Sequence, residues 1–230
     1  MKKLIIIFVI IISTLLANGQ ISIGLSGGST LSTMSVNLRD LSTFRIKPVL
    51  GYNFNLIADY KINSNLSLHS GLSISQKGFK HSLRYLYSPE IDSTAEMTSK
   101  LNYLEIPIYL QFNTNLNQIS FFYGMGPYFS YGFRGLITTN IAGRNNASYT
   151  DEIKWSKNRD YLKSDLVKEY GYTDIKRFDF GVGNLVGLKY KHITLAVSYQ
   201  YSLQNIMWEY YNDEKMSNSS LSLSVGYLFK

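Results

Sequence analysis

Strict alternation of apolar and polar residues is the feature that most restricts how this chain can fold. From Ile193 to Tyr201 every second residue is Ile, Leu, Val or Tyr, and the residues between them are Thr, Ala, Ser and Gln. The segment from Leu221 to Phe229 follows the same rule, with mostly Ser and Gly between its apolar residues. Residues two apart share one face of a β-strand, so this period predicts strands and not helices.

The alternation returns in eight segments after residue 20, and the connections between them differ in length. Short, turn-like connections (63–65, 114–118, 191–192) alternate with long polar ones (30–47, 79–99, 134–176, 204–218). This order predicts an antiparallel up-and-down meander with all its long loops at one end. Closing eight strands into a barrel removes the exposed sheet edges, so we predict an eight-stranded barrel.

The polar face of these segments is rich in Gly and Ser and poor in Lys and Glu, which favours a membrane barrel over a soluble one. A soluble barrel turns its polar face to water, whereas an outer-membrane barrel turns its apolar face to lipid. About 10 residues at ~3.3 Å each, tilted by about 45°, cover ~23 Å, close to the apolar band of such barrels. We therefore predict that Leu195, Val197 and Leu223 face lipid, while Ser198, Ser222 and Gly226 face the lumen.

The first 19 residues have the three parts of a secretory signal. Lys2 and Lys3 precede an apolar run over 4–12, and small residues near Gly19 suit cleavage after that position. The run is too short for a spanning helix. We expect residues 1–19 to be removed and residues 20–230 to form an outer-membrane β-barrel domain.

Composition excludes several classes of function. The chain has no Cys, which excludes disulfide scaffolds and cysteine-ligated metals. Its 23 Lys and Arg residues form no dense cluster, which argues against nucleic-acid binding. Phosphate-loop, paired-histidine and calcium-loop motifs are missing, so we predict no cofactor and no metal site.

Three motifs resemble one known family. LNYLEIPIYL at 101–110, GPYFS at 126–130 and FDFGVG at 178–183 are similar to the outer-membrane β-barrel domain of Bacteroidetes proteins often described as PorT-like. The resemblance covers essentially the whole mature chain and implies an outer-membrane location and an eight-stranded barrel. It implies little about activity, although the namesake branch serves secretion and gliding.

The alternate residues that are predicted to face the barrel interior include polar side chains that could form a site. The candidate lumen residues are Asp59, Lys61, His69, Lys77, Glu105, Asp179 and Lys189, with Tyr103 and Tyr109 on the same face. An eight-stranded interior holds only its own side chains, so charges there must pair to offset desolvation. We favour a polar network without catalytic residues. The alternative is a lipid hydrolase using Ser, His69 and Glu105, which only geometry can establish.

The longest connection, 134–176, carries many basic residues and a helix-like stretch at 158–170. It could cap the barrel and bind an envelope protein, or lie in solvent against anionic lipopolysaccharide. We predict a non-enzymatic surface barrel with a structural or binding role through its extracellular loops. An accessory subunit of a secretion or gliding machinery and a lipid A-modifying enzyme remain the alternatives.

Overall fold

The computed structural model describes residues 20–37, 45–86, 92–142, 146–153, 155, 175–206 and 215–229. The strands are β1 (Ile21–Asn37), β2 (Arg45–Lys61), β3 (Leu66–Leu86), β4 (Asp92–Leu116), β5 (Ile119–Ala142), β6 (Ala147–Glu152), β7 (Phe178–Tyr190), β8 (Ile193–Ser202) and β9 (Lys215–Phe229). None of the described residues lies in a helix long and apolar enough to cross a membrane. The predicted signal at 1–19 and the helix-like stretch at 158–170 lie outside these residues.

Eight of these strands close into an antiparallel ring. Neighbouring strands pair in chain order from β1 to β5, then β7, β8 and β9, and β9 pairs back onto β1. The eight-stranded barrel predicted from the alternation is therefore confirmed. The ninth strand, β6, pairs with the upper part of β5 and extends the wall beyond the ring.

The long loops are shorter than the sequence analysis predicted. Most of 30–47 and 79–99 is strand, because β1 continues to Asn37, β3 continues to Leu86 and β4 begins at Asp92. The first part of 134–176 is a β5–β6 hairpin, and β9 begins inside 204–218. These boundaries were wrong because outward residues such as Lys80 and Lys100 are polar there. The apolar pattern ends before the hydrogen-bonded ladder does.

Exposed apolar side chains form a belt around the ring, and polar side chains fill its interior. Leu56, Ile108 and Val225 are 48%, 38% and 56% exposed, whereas Thr30 and Gln111 are buried. This is the inverse of a soluble barrel and matches a lipid-facing surface. Leu195, Val197 and Leu223 lie on the exposed face, as predicted, while Ser198 and Ser222 line the interior.

The strands differ greatly in length, so the barrel is much taller on one side. β3, β4 and β5 have 21, 25 and 24 residues, whereas β7 and β8 have 13 and 10. About ten residues suffice to cross the bilayer. The longer strands therefore project past the belt at the long-loop end. We call this projection the high wall: β3 from residue 79, β4 up to residue 101, β5 from residue 134, and β6.

Candidate functional site in the barrel lumen

The interior contains three layers along the barrel axis. A polar cavity of about 250 Å³ occupies the half nearer the short turns and is lined mainly by Ser, Thr, Asn and Gln side chains. A buried charged layer built around Lys77 lies above the cavity. A cluster of apolar side chains fills the mouth at the long-loop end. The layers arise because the inward-facing side chains change along the strands. From the short turns to the long-loop end they are first mostly small and polar, then charged, and then apolar.

Lys77 and Glu105 form the centre of the charged layer. The Lys77 Nζ atom lies 2.5 Å from Glu105 Oε1, and both side chains are almost fully buried. The Ser130 hydroxyl donates a second hydrogen bond to the same carboxylate oxygen at 3.0 Å. The Lys77 ammonium also lies 4.7 Å from the ring centroid of Tyr128 and 5.6 Å from that of Tyr103. The cation is thus held by a carboxylate and two aromatic faces, which together offset its desolvation.

Asp179 is the second buried carboxylate of this layer. Ser202 donates to its Oδ1 at 2.5 Å, and the Asn218 amide donates to its Oδ2 at 2.8 Å. The Asn218 amide also donates to the Tyr103 hydroxyl at 3.4 Å, and the Tyr103 ring lies 5.6 Å from the Lys77 ammonium, so Asp179 belongs to the same layer. The contacts join β3, β4, β7, β8 and β9 across the lumen. Three of the seven candidate residues named from the sequence therefore lie together.

Asp59 and His69 form a separate pair lower in the lumen. His69 Nδ1 lies 2.6 Å from Asp59 Oδ1, and the imidazole stacks on Tyr109 with 6.0 Å between ring centroids. The register explains this row, because Asp59 pairs with His69 and His69 pairs with Tyr109 on successive strands. Lys61 and Lys189 line the cavity nearer the short turns.

The described lumen does not assemble a hydrolase triad. Among the hydrogen bonds of the described residues, none joins His69 to a serine hydroxyl, and Glu105 is committed to Lys77 and Ser130. His69 thus has an acid partner without a nucleophile beside it, and the triad is recognised by that geometry. The arrangement can hold charge and order water, and it gives no support to the lipid-hydrolase alternative.

Several members of the charged layer were missed from the sequence. Tyr128, Ser202 and Asn218 all lie on the inward-facing side of their strands, but none of them was named among the candidate lumen residues. Asn218 and part of its strand had been assigned to a loop. The signal that could have found Tyr128 is its position between outward-facing Pro127 and Phe129.

The apolar layer lies inside the mouth of the barrel. Its buried members are Met34, Phe79, Ala95, Met97, Leu101, Tyr103, Ile137, Ile153, Trp155, Ile175, Ile206 and Met216. Trp155 packs edge-to-face on Tyr103 with ring centroids 5.9 Å apart. The sequence left two interpretations of segment 134–176 open, a cap on the barrel or a solvated loop. In its described part, β6 pairs with β5, and Ile153 and Trp155 turn inward onto the wall.

Single backbone hydrogen bonds complete the ring above the short strands. The Gly132 amide donates to the Arg177 carbonyl at 2.6 Å, and the Lys176 amide donates to the Ile206 carbonyl at 2.6 Å. The Ile206 amide donates in turn to Met216 at 2.9 Å. These bridges continue the wall where β7 and β8 have ended. The mouth is therefore a folded structure with its own core and its own hydrogen-bonded rim.

Several solved outer-membrane proteins are similar to this chain. OprG from Pseudomonas aeruginosa has a TM-score of 0.42 at 14% identity, covering 90% of this chain and 95% of that chain. Neisserial surface protein A has a TM-score of 0.37 at 13% identity, covering 90% and 97%. Ail of Yersinia pestis has a TM-score of 0.36 at 14% identity, covering 90% and 98%.

Sequence comparisons give the family. No curated protein sequence matches this chain. A family model described as the outer membrane protein beta-barrel domain matches residues 16–207, which is most of the chain. The exposed apolar belt and the closed strand ring are what such a domain requires. This chain belongs to the outer membrane protein β-barrel domain family, and its location is the outer membrane.

Proposed function

We propose that this protein is a closed, non-enzymatic outer-membrane barrel whose long-loop end is a folded binding surface on the cell exterior. The observation that carries the proposal is the apolar layer at the mouth. A barrel built to conduct solutes keeps a polar, hydrated path, whereas this one buries Trp155, Ile153 and Ile206 across its mouth.

The charged layer adds a second barrier beneath the apolar one. An ion or solute that entered the polar cavity would meet Lys77 paired with Glu105 and would have to separate them. Separating a buried pair leaves both charges without compensation in a medium of low dielectric constant. The lining of the cavity below includes Ser64 and Asn115 at the short turns, and the charged and apolar layers lie above it, so we expect it to hold water and not to conduct.

The high wall is the part of the molecule best suited to contact a partner. The 25 residues of β4 at ~3.3 Å each, tilted by about 45°, rise ~58 Å, more than twice the ~25 Å apolar band. The outer face of the wall is polar, with Lys80 paired to Glu96 and Ser148 donating to Asn140. The strands of the high wall pack against the apolar layer on their inner side, and this packing keeps their polar outer surface in one conformation.

An envelope protein or lipopolysaccharide are the partners we propose for this surface. The PorT-like resemblance keeps an accessory role in secretion or gliding as the alternative, and that role would use the same surface. The lumen residues, including Asp59, His69 and Lys189, then serve the stability of the barrel. We propose no catalytic role, cofactor or metal for them.

Cysteine labelling in intact cells tests the exposed surface, because the natural chain has no Cys. Ser148→Cys lies exposed on the outer face of the high wall, and Ser64→Cys lies exposed in the short turn between β2 and β3. A membrane-impermeant maleimide should modify Ser148→Cys in intact cells and Ser64→Cys only after the outer membrane is opened. Labelling of Ser64→Cys alone in intact cells would reverse the orientation and contradict the proposal.

Native complexes purified from outer membranes then separate the two roles. Deletion of the gene should leave secreted proteins unchanged if the barrel only binds at the surface. Loss of secreted cargo on deletion, together with co-purification of export components, would assign the accessory role instead.

A further inference from the structure

We propose that the outer face of the high wall, where it meets the apolar belt, binds the phosphorylated headgroup of an outer-leaflet glycolipid of the lipid A type. The inference rests on the proposed orientation and names one partner for the same surface. Its basis is a group of outward-facing cations, which we call the cationic rim: Lys47, Lys80, Lys100, Arg134 and Arg177. Four of them are exposed, and Lys80 is about one-third exposed.

A β-bulge creates the centre of the cationic rim. Tyr103 pairs with Gly132 and Asn102 pairs with Arg134, so Phe133 is an extra residue on β5. The bulge turns both Phe133 and Arg134 outward, and both side chains are exposed. Phe133 thereby remains in the apolar belt, and Arg134 is the next exposed residue above it on β5.

Lys100 lies beside Arg134 on the neighbouring strand. The register makes them diagonal neighbours on one face, because Lys100 is two residues from Asn102, which pairs with Arg134. Such neighbours lie about 7–8 Å apart at their Cα atoms. Lys100 is also four residues beyond Leu104 of the belt, which puts it ~9 Å higher for a strand tilted by about 45°. Phosphates of a lipid headgroup occupy this level, directly above the acyl chains.

Two further elements extend the rim. Lys47 pairs directly with Lys80 across β2 and β3, so two cations face outward side by side. Arg177 lies over the ring of Tyr131 at 5.8 Å and donates to its hydroxyl at 3.2 Å, which holds the guanidinium at the belt edge. The rim therefore follows the belt from β2 round to the start of β7.

The charges of the rim are only partly neutralised by the protein. Among side chains that the structure describes on this face, the carboxylates are Glu96, which already pairs with Lys80, and Glu152 on β6. Like charges side by side on adjacent strands destabilise the sheet unless an anion bridges them. Phosphate suits this requirement, since Arg forms paired charge-assisted hydrogen bonds with it.

A glycolipid with two phosphates fits this surface better than a phospholipid with one. Its phosphates would contact separate cations, such as Arg134 and Lys47, while its acyl chains continue down the belt. The wall above the rim carries hydroxyl and amide groups, with Thr138 beside Thr150 and Ser148 beside Asn140. Those groups can hydrogen-bond sugar hydroxyls, which a phospholipid lacks.

Binding of purified lipid A to the refolded mature chain tests the inference. Bisphosphorylated, monophosphorylated and fully dephosphorylated lipid A would be titrated in one detergent, and bound lipid counted by native mass spectrometry. We expect affinity to fall in that order. The Lys100→Gln/Arg134→Gln variant should weaken bisphosphorylated binding by at least about tenfold, as expected for lost hydrogen bonds to a charged group.

Lys191→Gln is the matched control. Lys191 is also a cation beside an aromatic ring, 5.3 Å from that of Tyr190, but it lies at the short-turn end of the barrel, away from the cationic rim. It should leave binding unchanged. Equal weakening by Lys191→Gln, or equal binding of phosphatidylglycerol, would overturn the inference by showing a general attraction to anions. The assay is independent of orientation, so failure of the proposed function in the labelling experiment is distinguishable from failure of lipid binding.

Discussion

The indole ring of Trp155 lies directly against the backbone of Gly132, so closely that a Cβ atom at position 132 would fall 2.2 Å from the ring. Trp155 reaches this position with a left-handed backbone, at φ 57°. Only glycine leaves room for the ring at this point of β5. The contact joins the segment after β6 to the wall of the barrel and closes the mouth from inside.

Gly132→Ala should therefore loosen the mouth. The methyl group would displace a rigid ring, and overpacking of this kind costs about 1–3 kcal/mol. Urea unfolding of the refolded protein would measure the loss. Gly124→Ala is the control, because the nearest atom to a Cβ there is 3.4 Å away. The double variant Gly132→Ala/Trp155→Ala should lose less stability than the two single variants added together. Strict additivity would show that the two residues do not interact.

Two ion pairs of equal length should differ widely in their effect on stability. Lys77–Glu105 and Lys80–Glu96 are both 2.5 Å, but the first is buried and the second is about one-third exposed. Lys77→Met should cost about 3–5 kcal/mol because it leaves a buried carboxylate without its cation. Lys80→Met should cost less than about 1 kcal/mol. Similar losses from the two variants would mean that water reaches the charged layer.

The two faces of β8 should differ in how much stability a polar substitution costs. Val197 is exposed on the belt, so Val197→Arg near the bilayer midplane should destabilise the barrel by about 2–4 kcal/mol. Ser198→Asn, on the lumen side, should cost less. Both effects would be measured on protein folded into lipid bilayers, by the heat-modifiable mobility of the barrel on SDS gels. Tolerance of Arg at 197 with failure at 198 would mean that the faces are inverted.

Acid should weaken the mouth through His81. Burial lowers the pKa of this side chain from 6.5 to about 4, and its ring stacks on Phe79 at 5.6 Å in the high wall. The folded mouth therefore binds fewer protons than the unfolded chain between those two values. Its stability is complete above pH 6.5 and is lost as the pH falls toward 4. Hydrogen exchange of β3 and β4 beyond the belt, at pH 7 and pH 4.5, would measure the loss. His81→Phe should reduce this pH dependence, and an unchanged profile would assign it to other groups.

The alternation of residues could predict the ring but not its height. Where lipid contacts the strands, as at Leu195 and Val197, one face must be apolar, so strand and orientation are both readable from sequence. Above the belt the outer face meets water, and Lys80 or Thr138 looks like a loop residue although the backbone is still paired. In that region the polarity of a side chain depends on its contact with water and gives no information about backbone hydrogen bonds. The high wall and β6 were missed for this reason.

The candidate lumen residues show a similar division. The alternation pattern places Asp59 and His69 on the inward face of their strands. The pairing of β2 with β3 then brings the two side chains together. The grouping of Lys77 with Asp179 depends on strands far apart in the sequence and on the curvature of the closed ring. The position of Trp155 could not be predicted from any sequence pattern, because it depends on a left-handed backbone at Trp155 and on the absence of a side chain at Gly132.

Single-channel recording on the wild-type barrel in planar bilayers tests the closed lumen most directly. The apolar layer around Trp155 and the buried Lys77–Glu105 pair predict no large steady conductance at moderate voltage and neutral pH. Stable open steps of porin size from the purified monomer would show a continuous aqueous path through both layers and would contradict the account.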